Sequence, residues 1–154
     1  MPISRLSVER KKLNYLYDEI GKFNGDPEIL SHLTKYLCIL TNGYIEETVR
    51  NMFGRYAEKT SHPHVANYVQ RNLRNFQNAK SEKIIQLTYA FSNSWGHDLE
   101  TFMTGEMSAG IDSIVEIKNT LAHGGNVGIT YRNLKKYWDD TIKVLDFIES
   151  QCLR

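Results

Sequence analysis

The chain has 154 residues, a length that fits one domain, 1–154, able to bury its own core. Its formal net charge is +1, from 19 basic and 18 acidic residues, which excludes the broad basic field that tethers proteins to duplex nucleic acid; any RNA contact must be local. Two cysteines, Cys38 and Cys152, are too few for a disulfide scaffold and lack the paired spacing of a zinc site.

A reducing cytoplasm is therefore the expected home. Residues 1–10 carry basic side chains with no apolar stretch behind them, and no apolar run is long enough to span a bilayer, so neither export nor membrane anchoring is expected.

In chain order the apolar period is helical throughout. Val8, Leu13, Leu16, Tyr17 and Ile20 mark a first amphipathic helix that Gly21 ends. Asp26-Pro27-Glu28 is a start signal, with Asp as N-cap and Pro at the first helical position. It opens a long helix whose stripe runs through Leu30, Leu33, Leu37, Leu40 and Tyr44, then Ile45, Val49, Met52 and Tyr56. His62-Pro63-His64 places a turn before a helix over 65–76.

Ser81 is the expected cap of a helix carrying Ile84, Ile85, Leu87 and Phe91, with Glu82 and Lys83 in solvent and Gly96 as its interruption. A weaker stretch follows at 99–103. Ile111, Ile114, Val115, Ile117 and Leu121 recur at helical spacing on the next helix, residues 124–128 form a loop, and Thr130 caps a last helix with Leu134, Trp138, Leu145 and Ile148 inward. No repeat or alternating strand pattern competes. The expected fold is an all-α compact helical bundle with one long central helix.

The most informative segment is Glu116-Ile117-Lys118-Asn119-Thr120-Leu121-Ala122-His123-Gly124-Gly125. Lys118 can hold a phosphate, Asn119 can donate or accept a hydrogen bond, and His123 can exchange a proton near neutrality. Asn119 and His123 are four apart and share one helical face. Lys118 lies about 140° round the helix from His123 and converges with it only where the helix frays or tightens. Gly124-Gly125 is the expected stop, placing His123 in the last turn, where the helix dipole favours the imidazolium.

This stretch resembles the Arg-x4-to-6-His motif of the HEPN superfamily, with Lys118 at the Arg position, Asn119 at the polar position and His123 at the His position. Gly43-Tyr44-Ile45-Glu46-Glu47-Thr48-Val49-Arg50, Asn67-Tyr68-Val69 and Phe91-Ser92-Asn93-Ser94-Trp95 resemble the RiboL-PSP-HEPN branch over nearly the whole chain. The resemblance implies a HEPN-like helical domain that forms a homodimer, with two motifs facing each other. It implies metal-independent endoribonuclease cleavage of RNA to 2′,3′-cyclic phosphate ends, with no cofactor, in a toxin or a stress or phage-defence effector. A neutralising antitoxin or an associated defence protein is the matching partner.

Chemistry gives its own reason for a dimer, because attack by a 2′-hydroxyl on the adjoining phosphodiester needs a base, an acid and a cation. One motif supplies one histidine; two supply a pair, with Lys118 on each side. Lysine in place of arginine departs from the pattern, since a point charge on a flexible stem orients phosphate less well than a planar fork. Two other readings stay open. One is a catalytically weak HEPN domain that binds RNA or nucleotide, and the other a helical dimerisation module.

A second cluster supports the first in this reading. Glu46 and Arg50 are four apart, an ion pair in their own right, and Gly43 leaves room for another backbone, so that Glu47 or Arg50 reaches the motif and orients His123 or a phosphate. His62 and His64 read as an exposed loop, with no metal expected. The tyrosines and Trp138 read as core or interface, and Arg71, Arg74, Lys80 and Lys83 as wet surface.

Overall fold

A computed structural model describes the backbone of residues 3–153 and the side chains of residues 6–153; positions 1, 2 and 154 of the expected domain lie outside the described residues. The described residues form seven helices: α1 (Ile3–Gly21), α2 (Pro27–Thr60), α3 (Pro63–Leu73), α4 (Ser81–Phe91), α5 (Asn93–Phe102), α6 (Gly105–Ala122) and α7 (Tyr131–Cys152). The all-α bundle expected from the apolar period is what forms. The 34-residue α2 is its central member, contacting α1, α3, α6 and α7.

Local signals set most boundaries. The Asp26 carboxylate accepts the Glu28 N–H at 2.8 Å ahead of Pro27, and Thr130 Oγ1 accepts the Asn133 N–H at 3.2 Å to open α7. His62, read as loop, has a structural role, because its Nδ1 accepts the His64 N–H at 3.1 Å and caps α3.

Boundaries differ from the expectation at α3, which spans Pro63–Leu73 rather than 65–76, and at the starts of α4 and α5. Ser81 is the first residue of α4 rather than its cap, and its N–H and hydroxyl both donate to the Asp112 carboxylate of α6, at 2.8 and 3.1 Å. The orphan donors of a helix start accept any oxygen, and here a carboxylate 31 residues away provides it. The break after α4 falls at Ser92, whose extended backbone and side chain cap α5, whereas Gly96 sits inside α5. Gly96 is there for space: a Cβ would lie 2.3 Å from Cγ of Tyr89.

The core is organised on α2. Tyr17 of α1 stacks on Trp138 of α7 at 5.3 Å, with Tyr44 edge-on to the indole, and the Tyr17 and Thr41 hydroxyls pair at 2.7 Å. Trp138 Nε1 donates to Asn14 at 2.8 Å, so the buried indole is satisfied. Further along α2, Phe53 meets Phe91 at 4.7 Å and Tyr56 meets Trp95 edge-on, seating the α4–α5 pair. Cross-contacts fix directions: Tyr17 to Thr41 and Arg10 to Tyr44 make α1 and α2 antiparallel, and Cys38 to Ile114 with Lys35 to Asn126 does the same for α2 and α6. The end of α6 therefore lies beside the N-terminal half of α2.

Candidate functional site: the C-terminal end of α6

Ile111, Ile114 and Val115 are buried and hold α6 in the bundle, while Ile117, Lys118 and Asn119 lie at the margin of its inner face. The helix closes in a six-residue motif that the paired glycines permit. Gly125 N–H donates to Thr120 C=O at 2.8 Å, Gly124 N–H donates to Leu121 C=O at 3.1 Å, and Gly124 has φ +77°. His123 is the cap residue, its N–H bonded to Asn119 C=O at 3.1 Å. The backbone N–H groups of His123, Gly124 and Gly125 are thus all hydrogen-bonded although the imidazole is exposed.

The motif residues are brought together in part. Lys118 Nζ donates to Asn119 Oδ1 at 3.3 Å, forming a half-buried polar pair. Asn119 and His123 meet through the backbone bond just described; among the described residues no hydrogen bond joins their side chains. Because α6 stays regular to Ala122, Lys118 keeps its position about 140° from His123, and the convergence expected from fraying does not occur within one chain. Lys35 of α2 adds a cation that the sequence reading missed: its Nζ donates to Asn126 Oδ1 at 3.3 Å, beside the loop after His123. Its partner is 91 residues away, so no local pattern signals it.

Glu46, Glu47 and Arg50 are elsewhere. Glu46 accepts the Asn78 N–H at 2.7 Å and Arg50 Nη1 donates to Phe76 C=O at 2.7 Å, so both secure the α3–α4 connection, and no ion pair between them is among those of the described residues. With Glu47 they border an open cleft of about 710 Å³ between α2 and α3, shared with Glu58, Arg55 and Arg74. Arg50 lies fifteen residues beyond Lys35, roughly 22 Å along α2. No side chain spans that from Arg50, and among the described residues no hydrogen bond or ion pair joins Glu46, Glu47 or Arg50 to Lys118, Asn119 or His123. A Cβ at Gly43 would meet nothing within 4 Å, so no backbone of the same chain approaches there either.

With this geometry in hand, comparison with known families is decisive on ancestry. The RiboL-PSP-HEPN family model matches residues 4–154. The chain belongs to the RiboL-PSP-HEPN family. Neither a curated protein nor a solved structure matches it significantly. Membership in the HEPN superfamily brings a general association with RNase or nucleotide-binding roles. In this RiboL-PSP-HEPN chain, the Lys118-Asn119-x3-His123 element occupies the capped C-terminal end of α6. No group of three or more His, Cys, Asp or Glu side chains able to hold a metal occurs among the described residues, and no described helix is long and apolar enough to cross a membrane.

Proposed function

We propose that this chain is a metal-independent endoribonuclease whose active centre is completed by two copies, each presenting His123, Lys118 and Asn119. One observation carries the proposal: an exposed imidazole on a helix end closed by three backbone hydrogen bonds, with an ammonium–amide pair half-buried on the same helix.

One His123 takes the proton from the RNA 2′-hydroxyl as its oxygen attacks the adjoining phosphorus. The bond from phosphorus to the 5′-oxygen breaks, and that oxygen leaves with a proton from the second His123. The products are a 2′,3′-cyclic phosphate and a 5′-hydroxyl. Lys118 offsets the charge that builds on the non-bridging oxygens, and Asn119 orients the Lys118 ammonium through its 3.3 Å contact. A lone chain holds one proton carrier where the reaction uses two.

The surface beside the site suits a second copy. Ile29, Tyr36 and Ile39 are 49%, 54% and 45% exposed, and with His32 and Gly43 they repeat every three or four residues along one face of α2. That apolar stripe flanks the Lys35–Asn126 contact at the end of α6. A two-fold pairing along it leaves no heterologous edge. Use as a toxin or a stress or phage-defence effector, restrained by a neutralising antitoxin, fits such an enzyme, whose target is RNA in the same compartment.

The test is an RNA cleavage assay in EDTA with identification of product ends, comparing the native chain with Lys118→Arg and His123→Ala. Cyclic phosphate ends that vanish in His123→Ala support the proposal. Binding without cleavage, converted to cleavage by Lys118→Arg, moves the assignment to an RNA-binding HEPN domain weakened at the cation. Intact RNA with every variant, at concentrations where the protein is dimeric, sinks the ribonuclease reading.

A further inference from the structure

A second site lies away from the α6 motif, between the start of α1, the C-terminal half of α2 and the end of α7. It is a cavity of about 320 Å³, at the lower end of the range that holds small molecules. Thr48, Asn51, Arg55 and Lys59 follow one another on the face of α2 that borders it, at the spacing of successive helical turns.

Three polar atoms of its lining residues, set back behind the wall, are unspent. Thr48 Oγ1, Asn51 Oδ1 and Arg55 Nη1 are buried and have no hydrogen-bond partner among the described residues. Thr48 is only 3% exposed. A buried polar atom without a partner destabilises the fold, so three of them behind the α2 wall of one cavity favour a ligand that draws these side chains into it. Asn51 and Arg55 also border the α2–α3 cleft, whereas Thr48 borders the cavity and not that cleft.

The charge pattern narrows the ligand. At one end Arg10 is committed: its Nη1 pairs with Asp146 at 2.6 Å and its Nε donates to the Tyr44 hydroxyl at 2.9 Å. At the other end Arg55 and Lys59 make no hydrogen bond or ion pair among those of the described residues. Among the described lining residues, Arg10, Arg55 and Lys59 against Asp146 and Glu149 leave a charge of +1, three minus two, which suits a monoanion better than a dianion. Leu6, Met52, Tyr56 and Leu153 add apolar wall.

We infer that this cavity binds a small amphipathic carboxylic acid: its carboxylate on Arg55 and Lys59, an adjacent hydroxyl or amide N–H donating to Asn51 Oδ1, and its apolar body against Met52 and Tyr56. Thr48 supplies a further hydroxyl contact. Because the cavity is lined by the C-terminal half of α2 and the site of the proposed RNA chemistry adjoins its N-terminal half, the inference is independent of the ribonuclease reading.

N-acetylphenylalanine carries all three features and serves as the probe, with neutral N-acetylphenylalaninol and phenyl phosphate as comparators. Thermal unfolding of the full chain is followed against probe concentration, since a ligand bound only to the folded state raises the midpoint progressively, as the logarithm of its concentration once that exceeds Kd. The expected result is a concentration-dependent rise with the carboxylate, weaker with the dianion and absent with the alcohol. Arg55→Gln should weaken binding by about tenfold or more. Thr48→Val should also weaken it while leaving the ligand-free midpoint unchanged or higher, because it removes an unsatisfied group rather than a made bond.

A flat response to all three probes at millimolar concentration overturns the inference. So does a rise that Arg55→Gln leaves intact. A Thr48→Val chain that is clearly less stable without ligand overturns it too, since the hydroxyl would then be satisfied by resident water as part of the fold.

Discussion

His123, Gly124 and Gly125 act at the scale of single residues. Gly124 takes a left-handed conformation that costs a side-chain-bearing residue about 1–2 kcal/mol, and a Cβ on Gly125 would lie 2.7 Å from Thr120 Cγ2. Gly124→Ala is therefore expected to lower stability by about 1 kcal/mol in urea unfolding, and to lower any RNase activity by more than the unfolded fraction explains, because the His123 pedestal tilts. Equal losses in both would show that the pedestal does not position His123. The cysteines make a second residue-scale case. Burial pushes the thiols of Cys38 and Cys152 up to about 12, so neither offers a thiolate at neutral pH. Alkylation by iodoacetamide at pH 7.5 should be slow in the native protein and rapid in denaturant; fast native labelling at Cys38 would contradict its burial.

Whole helices expose a different set of forces. The α2 helix crosses the bundle with Gly43 near its middle, where a Cβ meets nothing within 4 Å. Gly43→Ala should raise the stability of the monomer by about 1 kcal/mol, the helix-propensity difference. If the exposed stripe of α2 is the dimer seam, the same substitution should weaken association in sedimentation experiments, separating the two roles of one glycine. At the start of α4, Asp112 satisfies two donors of Ser81, so Asp112→Ala should cost about 1–3 kcal/mol, read as a lower urea midpoint with unchanged slope. Capping signals for α2 and α7 were legible because the capping side chain precedes its helix by a residue. The cap of α4 was not, because its oxygen comes from another helix.

The whole molecule answers to pH through its buried weak acids. An unfolded thiol ionises near 9.0, whereas Cys38 and Cys152 stay protonated in the fold to about 12, and burial also raises the Tyr17 hydroxyl despite its bond to Thr41. Below pH about 9 these groups are neutral in both states, and their burial costs nothing in ionisation. As pH rises towards 12 the unfolded chain ionises first, so stability is lost progressively through that window. The thermal midpoint should fall above pH about 9, and Cys38→Ala should flatten the fall relative to the native chain. A midpoint that stays level to pH 11 would mean the thiols are not protected.

Residue order along the chain was enough to specify the helical bundle, its long central member, the inward faces of α2, α6 and α7, and a motif ending at His123. These rest on short-range rules: an apolar residue every three or four positions, a cap one residue ahead, a glycine one residue behind. Residue identity also carried the family resemblance. Packing of the helices was needed to settle where Glu46 and Arg50 point, that Ser81 answers to Asp112, why Gly96 must be small, and that Thr48, Asn51 and Arg55 line one wall of a cavity while each holds a polar atom without a partner. Each depends on a partner about 7 to more than 100 residues distant, or on the lack of one, and such pairings are set only when the helices have packed.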